Sequence, residues 1–592
     1  MILTRLAEQY DRLLRDPRYA DALPIRGESV QKISFEVVLD PDGTLVDVAD
    51  LRATEGKTPV LRKMRVPGGA KPSGQGINAC FLWDNARYLL GLDAEQRDPA
   101  RTSQCFAASR QRHVSAAREC PDEGLAAVAA FLGQWDPALA SSARWNDERL
   151  ATGFGVFRIR GATGWVHEGA RVRDYLRGRA ALSGEVTGQC LATGARAPLA
   201  RLHEPRVKGA GGQSAGSLLV SFNEGAYESY GKDQSYNAPT GTDAVFRYAN
   251  ALNLMLADRS RTVTIGDLRV VFWAEETTPA ESVFADLFGA QSGADTEDDA
   301  RKAEVRRVFT QLRDGAESAE VLAPSARGTR FFVLGLAPNA ARVVVRLWLD
   351  AQVGEVLARA THYLREIALE HHREEAPLTV WRMVRACGRA REGRGGRKEY
   401  DADAVPPRLG ADIARAILTG GAYPQTWLST VVSRLRADGD ISHPRIAGIK
   451  ACLVRNSRLR GNPKELHMSL DTGQIDEGYL MGRLFALLEK TQEDSADGEL
   501  NATIRDRYYA SASATPAIAF PRLLRLTQHH LAKLAGGRKV NREKQLGEVM
   551  DKVRRFPHTL GLEQQGMFAI GYYQQRQALF TPRKDQENPT HG

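Results

Sequence analysis

FFVLGLAPNAARVVVRLWL (331–349) is where the chain changes character. Its two apolar runs are rich in Val, Leu and Phe, and a tight Pro-Asn turn joins them, so the stretch reads as a pair of strands. Upstream the pattern is similar. Ile33, Phe35 and Val37 alternate with polar residues, DPDG (40–43) turns, and TLVDV comes next, which predicts a β-hairpin. GFGVFRIR (153–160), TGQCLATG (187–194), SLLVSF (217–222) and LRVVFWAE (268–275) extend the β-rich region. Helical spacing marks 101–134 and 242–257, and Leu3, Leu6, Tyr10 and Leu13 share one face of a first helix.

Downstream of about residue 351 the β signal stops. Segments near 352–373, 377–391, 408–418, 424–436, 477–490, 516–535, 540–555 and 562–580 read as helices with short polar links. Strands first and helices afterwards predict an α+β chain. Residues 1–350 form a mixed α/β region, 351–467 a basic helical region, and 468–592 a C-terminal four-helix bundle. Ser469 or Asp471 is expected to cap the helix after Met468, and Tyr479, Leu480, Leu484, Leu487 and Leu488 give it an apolar face. The loosest linkers fall at 388–407 and 491–499.

The 592 residues carry a net charge of +9, unevenly spread. Residues 381–464 hold seventeen Lys and Arg against seven Asp and Glu, and residues 505–584 hold fifteen against five. The first 380 residues are close to neutral or acidic. Two successive basic helical blocks are the electrostatic footprint of a nucleic-acid surface.

Several function classes lack their motifs. No stretch reaches the roughly 18 unbroken apolar residues of a transmembrane helix, and the charged N-terminus is no secretory signal, so a cytoplasmic protein without a membrane partner is expected. Cys80, Cys105, Cys120, Cys190, Cys387 and Cys452 form no C-x-x-C pair and read as small buried hydrophobes. GQGINA (74–79), with Asp93 beyond it, comes after a loop rather than a buried strand, which is the wrong setting for a dinucleotide fingerprint. KGAGGQSAG (208–216) lacks the G-K-[ST] ending that would hold phosphates and Mg²⁺. His362, His371 and His372, and His529 and His530, have no zincin spacing. No metal, no cofactor and no catalytic activity are expected. A nuclease or helicase is the alternative of a different class, and a structural RNA-binding scaffold is a third reading.

Two loops carry purposeful chemistry. MRVPGGAKPSGQGIN (64–78) sets Lys71, Gln75 and Asn78 among glycines, which let backbone approach a polyanion closely. The stretch 201–239 interleaves Arg201, Arg206, Lys208 and Lys232 with Gln213, Ser214 and Asn223 and with Tyr227, Tyr230 and Tyr236. Cations, amides and aromatics together suit backbone contact and base stacking. The other reading is a surface loop, and a β-hairpin connection whose tyrosines pack on the core.

The block 187–256, from TGQCLATGARAPLARLHEP through NAPTGTDAVFRYANALNLML, resembles the signature region of the type I-C CRISPR large subunit. FFVLGLAPNAARVVVRLWL resembles that family's second long motif, and MILTRLAEQYDRLL and KMRVPGGAKPSGQGINACFLWDNARYLLG (63–91) are similar too. The resemblance implies a non-catalytic subunit of Cascade, the RNA-guided complex of antiviral defence. Its implied partners are CRISPR RNA, target double-stranded DNA, the backbone and repeat-processing subunits, the small subunit and the helicase–nuclease. Such a subunit recognises the protospacer-adjacent motif, promotes R-loop formation, stabilises the displaced strand and recruits the nuclease. Lys71, Gln75, Asn78, Lys208, Gln213, Asn223 and Lys232 are then expected at the motif duplex. Arg382, Arg385, Arg389, Arg522, Arg525, Lys533, Arg538, Lys539 and Arg542 are expected along the displaced strand. The family also implies an internal translation start for the small subunit, for which Met468 is the candidate.

Overall fold

The computed structural model describes every residue except 21, 56–57, 73–75, 94–97, 139–149, 151–152, 181–185, 214, 290–298, 315–323, 340–341, 372–376, 394–397, 497–501 and 581–592. The fold is α+β, as its sequence predicts. Its contacts divide the chain into two units: Met1–Gly209 with Ser214–Leu254, and Ala210–Gln213 with Met255–Gly592. The division falls at 254/255, so the last four-stranded sheet belongs with the helices C-terminal to it. Among the described residues, no helix is long and apolar enough to cross a membrane.

The first unit is built on one long strand, Glu28–Leu39. Its first half pairs antiparallel with Arg62–Pro67 and its second half with Leu45–Asp50 across the expected DPDG turn. Phe154–Ile159 runs parallel on its other side and carries the short strand Trp83–Asp84 beyond it. Phe35, Val37 and Leu39 are fully buried in a cluster with Phe106, Leu125, Val128 and Phe131 from the helices Pro99–Glu119 and Glu123–Gln134. The expected SLLVSF strand does not form. Ser217 and Leu218 sit in isolated bridges, Ser217 opposite Val207, and 219–222 is irregular chain.

The second unit opens with an antiparallel meander, Thr262–Ile265, Leu268–Ala274, Arg330–Asn339 and Arg342–Gln352. Helices occupy most of the chain beyond Gln352. A hairpin, Arg389–Glu392 with Lys398–Asp401, replaces the linker expected at 388–407. The helix expected over 377–391 is confined to Val380–Arg385. Among the described residues of this unit, four α-helices have no counterpart among the segments that the sequence pattern marks: Ala280–Phe288, Asp299–Asp314, His443–Leu459 and Ile504–Ala514. His443–Leu459 is buried on nearly all sides, so no amphipathic stripe marks it. Ile504–Ala514, rich in Ala and Ser, has only a faint one.

The described residues of 468–592 hold five helices rather than four: Glu477–Asp494, Ile504–Ala514, Pro516–Lys533, Gly536–Met550 and Leu562–Phe580. Neither Ser469 nor Asp471 caps the first of these. The chain stays irregular to Ile475, and Asp476 caps it, accepting from Tyr479 N–H at 3.2 Å. Glu477–Asp494 and Leu562–Phe580 approach closely along a seam of glycines. A Cβ on Gly482 would fall on the Phe568 carbonyl, and one on Gly571 on the Tyr479 carbonyl. One core runs from Val263 in the sheet to Tyr573 in the last helix.

Buried charge is matched inside that core. Glu366 accepts from Arg455 at 2.7 Å and from the Tyr423 hydroxyl at 2.8 Å. Fully buried Arg445 donates to the Ala386 and Gly388 carbonyls at 2.9 and 2.8 Å and to Asp438 at 2.8 Å. Five cysteines are buried and Cys80 half-buried, and all six are unpaired thiols.

Candidate nucleic-acid interface

The strand Arg62–Pro67 delivers the chain into Gly68, whose φ of +81° starts the first loop. Around Gly68 and Gly69 there is open space. Lys71 then turns inward. Its ammonium lies 2.6 Å from both oxygens of Asp84, 2.7 Å from the Asn78 carbonyl and 3.4 Å from the centre of the Tyr88 ring. Asp84 is fully buried on its edge strand and also accepts from the Cys80 and Asn85 N–H groups, each at 2.8 Å. Burial raises its carboxyl above the ordinary 3.8, against the pull of those donors.

Asn78 is held from both sides. Its N–H donates to the Tyr88 hydroxyl at 3.2 Å, and its carbonyl accepts from Lys71. Its side-chain amide is exposed on that fixed backbone. Gln75 lies outside the described residues. Behind the loop, Leu82 has φ +61° and donates its N–H to His113 Nε2 at 2.8 Å. His113 Nδ1 donates to the Ser109 carbonyl at 2.7 Å, and burial lowers this imidazole from 6.5 to about 4.

The second loop has its own anchors. His203 is buried against the Tyr248 hydroxyl at 2.7 Å, and burial lowers it to about 4. Asn253 takes the Lys208 N–H at 2.7 Å and donates to the Arg206 carbonyl at 2.9 Å, which leaves the Lys208 side chain exposed. Gln213 is exposed too, and groups with the second unit. Asn223 and Lys232 are both exposed. Asn237 staples the end of the loop: it accepts from Ser229 N–H at 2.9 Å and donates to the Lys232 and Gln234 carbonyls at 2.7 and 2.9 Å. Of the three tyrosines, Tyr236 is half-buried, Tyr227 is exposed and Tyr230 is 98% exposed.

The nine basic residues of the helical half separate into two kinds. Arg389, Arg522, Arg525 and Arg538 are exposed, and Lys533 too stands at the surface end of its helix. Arg522 lies over the Tyr508 ring at 5.4 Å. Of the others, Arg382, Arg385 and Arg542 hold the fold, while Lys539 sits in a partly exposed surface pair. Arg382 donates to the Pro377 carbonyl at 3.0 Å, and Arg385 donates to the Tyr400 carbonyl at 3.0 Å while stacking on Trp381. Buried Arg542 bonds Asp494 and Gln545, each at 2.8 Å, and Lys539 faces Glu543 at 4.0 Å. Arg507 and His529 carry no motif that would single them out in the sequence, though both are exposed on the same run of helices.

Met468 lies in irregular chain, 40% exposed, with its carbonyl accepting from Glu370 N–H at 2.9 Å.

The geometry offers exposed amides and two lysines on anchored loops in one unit, and exposed cations, most of them on helices, in the other. Amides and cations are the side chains that suit base edges and phosphates. No curated protein matches the chain. A family model does, over residues 6–580: that of the CRISPR-associated protein (Cas_Csd1).

Proposed function

The chain belongs to the CRISPR-associated protein (Cas_Csd1) family, and on that premise we propose that it is the non-catalytic large subunit of a type I-C Cascade. In this reading it works in the cytoplasm beside CRISPR RNA, the backbone and repeat-processing subunits and the small subunit. It recognises the protospacer-adjacent motif in duplex DNA, promotes the R-loop, steadies the displaced strand and receives the helicase–nuclease. Guide pairing reads the target, and the protein reads only the short motif and the backbone, a division of labour known for another RNA-guided effector.

The observation that carries the reading is the Asn78 side chain. Its backbone is fixed by Lys71 and Tyr88 while its amide projects from a glycine-bordered loop. An amide donates and accepts at once, which is what the edges of base pairs demand. Asn223 and Lys208 add an amide and a cation from the second loop.

The test is binding of the full chain to duplexes with and without the motif. Asn78→Ala should cost about 1–3 kcal/mol on motif-bearing DNA and much less on motif-free DNA. Equal losses on both would reduce Asn78 to a backbone contact.

A further inference from the structure

We propose that Tyr230 is a stacking residue for an unpaired nucleobase, displayed on a turn whose geometry is maintained for that purpose. The inference rests on the DNA-binding reading above and deepens it.

Ser229 and Lys232 pair across a two-residue connection, with Lys232 N–H donating to the Ser229 carbonyl at 3.0 Å. The two central residues, Tyr230 and Gly231, have φ of +53° and +68°. Two successive positive φ values are the requirement of a type I′ turn. Its first central position belongs to Asn, Asp or Gly, because a Cβ crowds the following carbonyl in the left-handed region. A bulky aromatic there is an outlier. Gln234, four residues on, is also left-handed, with φ +45°.

The ring gives nothing back to the fold, since the residue is 98% exposed. An exposed aromatic on strained backbone marks a contact with something outside the chain. The mount is stiff as well. Asn237 bonds the turn's flank at Ser229 N–H and the Lys232 and Gln234 carbonyls, so the ring is presented with little left to order on binding.

Charge decides the ligand class. The stretch 201–239 carries Arg201, Arg206, Lys208 and Lys232, but also Glu204, Glu224, Glu228 and Asp233. The loop as a whole is neutral and exerts no net pull on phosphate. Its affinity must come from surfaces rather than charge, and every base offers a π-face. Exposed Lys232, two residues from the ring, is left to meet one flanking phosphate.

The experiment uses the full chain and a duplex with a single unpaired 2-aminopurine, read by fluorescence quenching and by affinity. Wild type and Tyr230→Trp should bind and quench. Tyr230→Ala and Tyr230→Asn should lose quenching and bind roughly 5- to 150-fold more weakly, the worth of one base–aromatic stack. Tyr230→Asn should melt no lower than wild type, because Asn suits the turn. Unchanged affinity and quenching in the Asn variant, with wild type binding DNA, would overturn the stacking role and leave the proposed function standing. A wild type that binds no DNA would overturn both. A lower melting temperature for the Asn variant, or loss of a protein partner with DNA binding intact, would make the ring a fold or protein contact and end the proposal.

Discussion

Lys71 and Asp84 form a closed ion pair, with the ammonium 2.6 Å from both carboxylate oxygens and Asp84 wholly buried. The lysine that the sequence offers as a phosphate contact is therefore the anchor of its own loop. Lys71→Met strands a buried carboxylate and should destabilise the first unit by about 3–5 kcal/mol. The double variant Lys71→Met/Asp84→Asn should recover part of that loss, as read by urea midpoints. DNA affinity that tracks the recovery assigns Lys71 to loop geometry; affinity still reduced in the stable double variant assigns it to direct contact.

Acid should weaken the first unit through His113. Its Nε2 accepts the Leu82 N–H, so the folded imidazole resists protonation down to about 4. The unfolded state takes up a proton at the ordinary 6.5, so stability falls as pH drops between these values. His113 alone should remove about 2 kcal/mol between pH 7 and pH 5. Buried His167 and His203, also held near 4, steepen the same slope. Unfolding midpoints that are level across this range would contradict the assignment.

Charge reversal should separate the two kinds of cation. Arg525→Glu, Lys533→Glu and Arg538→Glu should each lower the salt slope of single-strand binding by about 0.7 for every phosphate set free. Arg542→Ala should leave that slope alone and reduce stability instead, since its guanidinium is bonded to Asp494 and Gln545. A slope unmoved by the triple reversal would place the displaced strand elsewhere.

As the start of a separate small subunit, Met468 should yield a product holding the whole glycine seam of Glu477–Asp494 and Leu562–Phe580. That product would lack Ile449 and Leu453, which cover Gly566 in the full chain. Its uncovered face should drive self-association or docking. Mass spectrometry of the assembly from a gene carrying Met468→Leu is the check, and a short product of unaltered mass would refute the start site.

Elements with a one-sided apolar face are legible in the sequence. The helix expected over 242–257 is Thr242–Ala257, and FFVLGLAPNAARVVVRLWL forms the two strands it promises. The helix His443–Leu459 is illegible because Arg445, Lys450 and Arg455 read as solvated residues. All three are buried, and their partners at Ala386, Ala368 and Glu366 lie far away in sequence. The site divides the same way. Asn78, Lys208 and Lys232 are exposed, as residue type suggests. The inward turn of Lys71 depends on a buried carboxylate thirteen residues on, and the inward pull on Arg542 on Asp494 in another helix. Tyr230 is one tyrosine among three in the sequence, and its backbone conformation and near-complete exposure set it apart only in the structure.

The core that runs unbroken from Val263 to Tyr573 has a consequence for synthesis on the ribosome. The first unit has all of its residues once translation passes Leu254, and can close while the rest is being made. The second unit cannot, because its sheet and early helices share an interior with the last helix. At about 5–20 residues per second, that interval lasts on the order of 15–60 s. For that time the nascent chain carries open apolar faces behind a finished unit, so chaperone capture should concentrate on residues 255–562.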